Sequence, residues 1–165
     1  MASPSPRGAA ERVVVALDRD STEGNLALVK ALNGRARWFK VGMREFYASG
    51  DRVCDAVRRV GGRLFLDLKL HDIPETVRGA VQSLSRLRPD MLTVHAAGGS
   101  AMVEAAVGAS PEVTRVLAVT VLTSLDGADL GALGVPGDVS GVASRWGAVA
   151  LAAGAHGLVC SAHEV

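Results

Sequence analysis

The chain has 165 residues, 48% of them hydrophobic and only 4% aromatic, which excludes a disordered polymer and makes Val, Ala and Leu the core material. Eighteen basic and seventeen acidic residues nearly cancel, with no basic stripe and no like-charge block, so a charge-driven nucleic-acid binder is excluded. No apolar run reaches the roughly 20 residues of a spanning helix, and Met1–Arg12 lacks the apolar stretch of a signal peptide, so a soluble cytoplasmic protein without a membrane partner is expected.

In chain order, residues 1–11 are rich in Ser, Pro, Ala and Gly and read as a disordered tail, with residues 12–165 as one domain. Six short apolar runs then read as strands: Arg12–Leu17, Trp38–Val41, Arg63–Leu68, Met91–His95, Arg115–Leu122 and Gly157–Ser161. Between them apolar residues recur at helical spacing, as in Leu26, Leu28, Val29 and Leu32, in Val53, Val57 and Val60, and in Val77, Val81, Leu84 and Leu87. Gly61-Gly62 suits a helix end, and Pro74 suits the first turn of the next helix. The stretch Asp126–Asp138 reads as a surface loop with a short helix. Cys54 and Cys160 stand among apolar neighbours without metal-ligand spacing and read as two buried, reduced thiols.

Strands alternating with helices imply a parallel sheet, because parallel neighbours need crossover connections. Chemically useful residues fall at the end of every strand: Asp18, Lys40, Asp67 with Lys69, His95, Thr123 with Ser124, and Ser161. Contributions from many strand ends suit a TIM (β/α)8 barrel. An open doubly wound sheet gathers its ligand contacts at one switch point, often with a Gly-rich first turn, and here that turn is Asp18-Arg19-Asp20-Ser21. The expected fold is therefore α/β, a TIM (β/α)8 barrel with six of its eight βα units.

Asp67 and Lys69 are two apart, so regular strand alternation sends both side chains to one face; Asp72 follows in the next loop. Such charges are costly to bury unless mutually paired, and Lys40 supplies a second cation. Spacing alone leaves two readings open: a solvated turn with incidental ion pairs, or an alternating array of charges in a cleft.

The segment Asp67-Leu68-Lys69-Leu70-His71-Asp72-Ile73-Pro74 resembles the DxKxxD signature, extended by HDIP, of the orotidine 5′-phosphate decarboxylase family. VALD (15–18), FKVGM (39–43), VHAAGG (94–99), AVTVLTS (118–124) and GLVCSAHE (157–164) resemble further family segments in the same order. The resemblance implies decarboxylation of orotidine 5′-phosphate to uridine 5′-phosphate in pyrimidine biosynthesis, without cofactor or metal. It gives Asp18 and Lys40 the ribose hydroxyls, with Lys40 also anchoring the charge array. Asp67 stands beside the substrate carboxylate, and Lys69 is the acid that protonates the pyrimidine carbon. Asp72, with Ile73 and Thr76, reaches into the neighbouring site of a homodimer; Thr123, with the adjacent Ser124, hydrogen-bonds the pyrimidine.

His95 is expected to pack or hydrogen-bond rather than react, and His71 to hold its loop. His156 and His163 lack ligand partners at metal spacing, and Gly98-Gly99 reads as a βα turn more readily than a phosphate contact. Two alternatives accompany this reading. One is a Mg²⁺-dependent sugar-phosphate synthase or decarboxylase of the same superfamily; these typically carry Glu where this chain has Lys40, so their ligand set would lose a carboxylate. The other is a catalytically inactive fragment, since the family's phosphate-binding loops follow a seventh and an eighth strand, and the sequence ends after the sixth.

Overall fold

The structure, a computed structural model, describes residues 11–164. Apart from Glu11, the tail expected over residues 1–11 lies outside the described residues. The chain divides into two compact units, Met1–Leu68 with Arg86–Met91 and Lys69–Ser85 with Leu92–Val165. All six expected strands form, and they follow chain order in the sheet, β1-β2-β3-β4-β5-β6. This is the alternating α/β order of a barrel's first six units.

In the first unit, β1 (Val14–Ala16) pairs parallel with β2 (Trp38–Gly42), and β2 with β3 (Arg63–Leu70), Lys40 standing opposite Phe65 and Gly42 opposite Asp67. Helices α1 (Thr22–Ala31), α2 (Met43–Ser49) and α3 (Asp51–Arg59) supply the covering layer. Ser21 caps α1 by accepting the Gly24 N–H at 3.1 Å. Gly61, at φ +70°, follows α3, and the Gly62 N–H returns to the Val57 carbonyl at 3.0 Å, closing the helix end. Leu17, Val29, Phe39, Val41, Val53, Val57, Leu64 and Leu66 are fully buried and make this unit's core. Gly62 is required there by space: a Cβ would lie 2.9 Å from the Phe39 ring and 3.0 Å from the Val57 carbonyl oxygen. Asp90 bridges the Leu64 N–H (2.8 Å) and the Arg58 guanidinium (2.8 Å).

The second unit begins within β3. Pro74 opens α4 (Pro74–Leu84), whose apolar stripe of Val77, Val81 and Leu84 is buried. Helix α4 packs on α5 (Gly99–Ala109), where Met102, Val103, Ala105 and Ala106 are buried. In chain order β4 (Met91–His95) lies between these helices. After α5, β5 (Arg115–Val119) pairs parallel with β6 (Gly157–Val159), Val119 opposite Val159. His156 extends that register with its side chain: its Nδ1 accepts the Val116 N–H at 3.1 Å while its own N–H donates to the Val116 carbonyl at 2.8 Å.

The expected loop after β5 contains α6 (Gly127–Ala132), begun by a capping box in which Asp126 and Asp129 bind each other's backbone N–H. Leu130 anchors it by packing with Val121, Val142 and Ala143 beside α7 (Val139–Ala152). Three strands are shorter than their apolar runs: β1 stops at Ala16, β5 at Val119 and β6 at Val159.

Candidate functional site

In the first unit the ends of three strands carry the charges. Lys40, on β2, places its Nζ 3.1 Å from Asp67 Oδ2 on β3, with side chains 28% and 10% exposed. The two residues lie 27 apart in sequence, and the parallel β2–β3 register joins them. Asp18 follows Leu17, whose N–H donates to the Lys40 carbonyl at 2.9 Å. The Asp18 carboxylate lies over Gly42: its Oδ1 is 3.8 Å from where a Cβ on that glycine would stand.

Behind Asp18 is a polar cluster that no spacing in the sequence announces. Asn25 is wholly buried, and its Nδ2 donates to Glu45 Oε2 at 2.6 Å, while the Thr22 hydroxyl donates to Glu45 Oε1 at 3.0 Å. Glu45 itself is only 5% exposed. Asn25 Oδ1 accepts the Arg19 N–H at 3.0 Å, and Arg44 Nη2 donates to the carbonyls of Asp18 (2.7 Å) and Arg19 (2.8 Å).

In the second unit, Lys69 sits at φ +48°, in the left-handed region that a side chain with a Cβ rarely adopts. Its N–H donates to Thr93 Oγ1 at 2.9 Å, Thr93 being fully buried on β4. Lys69 lies within β3 (Arg63–Leu70), and at this φ its backbone departs from the extended conformation that regular strand alternation assumes. Held strain of this kind clusters at functional positions.

His71 stacks on His95, ring centroids 5.1 Å apart and 20° between planes, and Trp146 meets His95 edge-on at 6.3 Å. His95 Nδ1 accepts the Ala97 N–H at 3.3 Å, so this histidine packs and caps a turn. Burial first, then the charges of His71 and Lys69, hold its imidazole below the usual value. Gly98 makes the close βα turn here, since a Cβ would strike Met102 and approach His71 Cδ2 at 3.3 Å.

Asp72, Ile73 and Thr76 are exposed around the start of α4, Ile73 at 66%, and Asp72 Oδ1 accepts the Ile73 N–H at 2.6 Å. Thr123 and Ser124 are exposed in the segment after β5. Of the two cysteines, Cys54 is buried, but Cys160 is only half-buried because it follows β6 and lines a surface cavity of about 330 Å³ with Leu158 and Glu164. The side chain of His163 lies outside the described residues. Among the described residues no three His, Cys, Asp or Glu side chains gather as a metal-binding group.

The family model for the orotidine 5′-phosphate decarboxylase / HUMPS family matches residues 11–165. The chain belongs to this family. Its relatives include an orotidine 5′-phosphate decarboxylase of Novosphingobium aromaticivorans, 46% identical over 153 residues, covering 93% of this chain and 68% of that protein. The enzyme of the same name from Thermobifida fusca is 50% identical over 155 residues, covering 92% and 65%. A solved orotidine 5′-phosphate decarboxylase structure from Lactobacillus acidophilus superposes with TM-score 0.78 at 35% identity, covering 90% of this chain and 70% of that one. An uncharacterised conserved protein from Geobacillus kaustophilus gives 0.86 at 37% identity, covering 92% and 74%. The chain thus spans about two thirds of the length of these curated decarboxylases.

Proposed function

We propose that the protein decarboxylates orotidine 5′-phosphate to uridine 5′-phosphate, using preorganised charge in place of a cofactor. The observation that carries this reading is the Lys40–Asp67 ion pair (3.1 Å) on the strand that presents Lys69 next but one. Loss of CO₂ leaves a carbanion on the pyrimidine, and with no electron sink its charge must be met by fixed donors and cations. In this reading the Lys69 ammonium stabilises that carbon and then donates its proton to it. Asp67 borders the departing carboxylate, and Lys40 keeps that aspartate in place while contacting the ribose with Asp18. Thr123 and Ser124 bind the pyrimidine. Asp72, Ile73 and Thr76, exposed together at the start of α4, serve the neighbouring site of a homodimer, and the protein works in the cytoplasm.

The metal-dependent branch of the family is a poorer match for these residues. Where those enzymes carry a carboxylate, this chain has Lys40, whose ammonium lies against Asp67 and supplies a positive charge there. Binding energy from the substrate's distant phosphate would help hold its carboxylate against Asp67.

The test is to incubate the protein with orotidine 5′-phosphate and follow uridine 5′-phosphate and CO₂ formation. The chain is assayed alone and joined to the C-terminal third of the Thermobifida fusca relative. Turnover in either preparation that Lys69→Ala abolishes supports the reading. Absence of turnover in both, or turnover that survives Lys69→Ala, overturns it.

A further inference from the structure

We propose that Asn25 and Glu45 are positioning residues that aim Asp18 at the ribose, acting through the backbone of the loop between β1 and α1. The proposal rests on the functional reading above and adds to it the device that sets ribose recognition. Asp18 is exposed and stands in a loop, where a carboxylate has no fixed direction of its own. Its main chain is nevertheless tied on both sides of the peptide that follows it. The Arg19 N–H donates to Asn25 Oδ1 at 3.0 Å, and the Asp18 and Arg19 carbonyls both accept from Arg44 Nη2, at 2.7 and 2.8 Å.

Asn25 can serve as that acceptor only with its amide turned one way. Glu45 sets the direction: a carboxylate accepts and never donates, so it takes the amide's NH₂ at 2.6 Å and leaves Oδ1 facing Arg19. Its second oxygen is satisfied by the Thr22 hydroxyl at 3.0 Å. Burying an amide and a carboxylate costs more than burying an apolar pair of similar volume, so packing alone does not explain them. Beyond its own members, the cluster reaches the Arg19 peptide.

The source of the constraint also matters. Arg44 and Glu45 lie in the first turn of α2, the helix that follows β2, four and five positions after Lys40. The strand end that carries one proposed ribose ligand therefore holds the loop that carries the other. Gly24 tightens the arrangement: a Cβ there would lie 3.2 Å from Arg19 Cβ and 3.2 Å from Ser21 Oγ.

The experiment is a set of mutant cycles on kcat/KM for orotidine 5′-phosphate, with amide hydrogen exchange at Arg19 measured on the same proteins. Asn25→Leu is expected to lower kcat/KM on the order of tenfold to a hundredfold, the range for a misplaced contact group. In an Asp18→Ala background the same change should add nothing. Arg44→Met, on the surface, should repeat this pattern without disturbing the interior. Glu45→Gln, which still offers an acceptor to Asn25, should rescue what Glu45→Leu loses. Arg19 exchange should accelerate in Asn25→Leu and Glu45→Leu and stay slow in Glu45→Gln.

Full additivity of Asn25→Leu or Arg44→Met with Asp18→Ala would overturn the proposal, as would unchanged kcat/KM in both. If the parent protein does not turn over the substrate, the functional reading falls, and Arg19 exchange decides positioning by itself. Protection lost in Asn25→Leu and kept in Glu45→Gln then supports the mechanical link, and unchanged exchange in Asn25→Leu refutes it.

Discussion

Replacing Lys69 by glycine and by alanine separates its backbone from its side chain. Both variants lack the ammonium, so both are expected to lose turnover. Whatever the lysine side chain touched is missing from both, and its effect on stability cancels in the comparison. What remains is the left-handed conformation at φ +48°. That region costs a residue with a Cβ about 1–2 kcal/mol, and glycine is spared this. Against this, glycine loses about 0.5–1 kcal/mol more chain entropy on folding than alanine. Taken at the midpoints of the two ranges, the difference leaves Lys69→Gly the more stable variant by about 0.75 kcal/mol, reversing the usual order of the two residues in a strand. At roughly 2–4 °C per kcal/mol for a chain of about this size, the melting temperatures should differ by about 1.5–3 °C. Urea titrations followed by the fluorescence of Trp38 and Trp146 report on both units. An alanine variant at least as stable as the glycine variant would refute the claim that this position is held in a strained conformation.

Three further outcomes follow from the same geometry. Lys40→Met removes an ammonium 3.1 Å from a carboxylate whose side chain is 10% exposed. A loss of about 2 kcal/mol is expected, below the ~3–5 kcal/mol of a wholly buried pair because water reaches Lys40. Asp67→Asn should cost less, since the freed lysine can turn its head to solvent; an equal or larger loss in urea titrations contradicts this. For His95, the imidazole lies below its ordinary 6.5 in the folded protein, so the unfolded chain binds its proton first as pH falls. Stability should decline from about pH 6.5 downward and level off once the folded protein is also protonated, and His95→Asn should flatten that slope; an unchanged slope from about pH 8 to 5 rejects the assignment. Burial, then the charges of Asp51 and Asp55, pushes the Cys54 thiol up to about 12, so iodoacetamide should label half-buried Cys160 in the folded protein and reach Cys54 only on unfolding. Comparable labelling rates by peptide mass analysis would count against that environment.

Much of the architecture was legible in the chain itself because its causes are local. Hydrophobic period and turn chemistry act over a few residues, so Met91–His95 matches its strand to the residue and Pro74 marks the first turn of α4. The family signature likewise sits in contiguous segments, Asp67–Pro74 foremost, and could be recognised without any fold. What spacing could not supply was partnership. Lys40 and Asp67 are 27 residues apart, and Asn25 and Glu45 are 20 apart; each pair exists only once strands and helices have been brought together. The dihedral of Lys69 is of the same kind. Nothing in the order of residues around it demands a left-handed turn of backbone, and its N–H is held by Thr93, from a strand 24 residues further on. Sequence determined which groups are present and on which elements they stand. Tertiary structure decided which charges share a contact and which backbone is strained, because those depend on neighbours that the chain reaches only by folding.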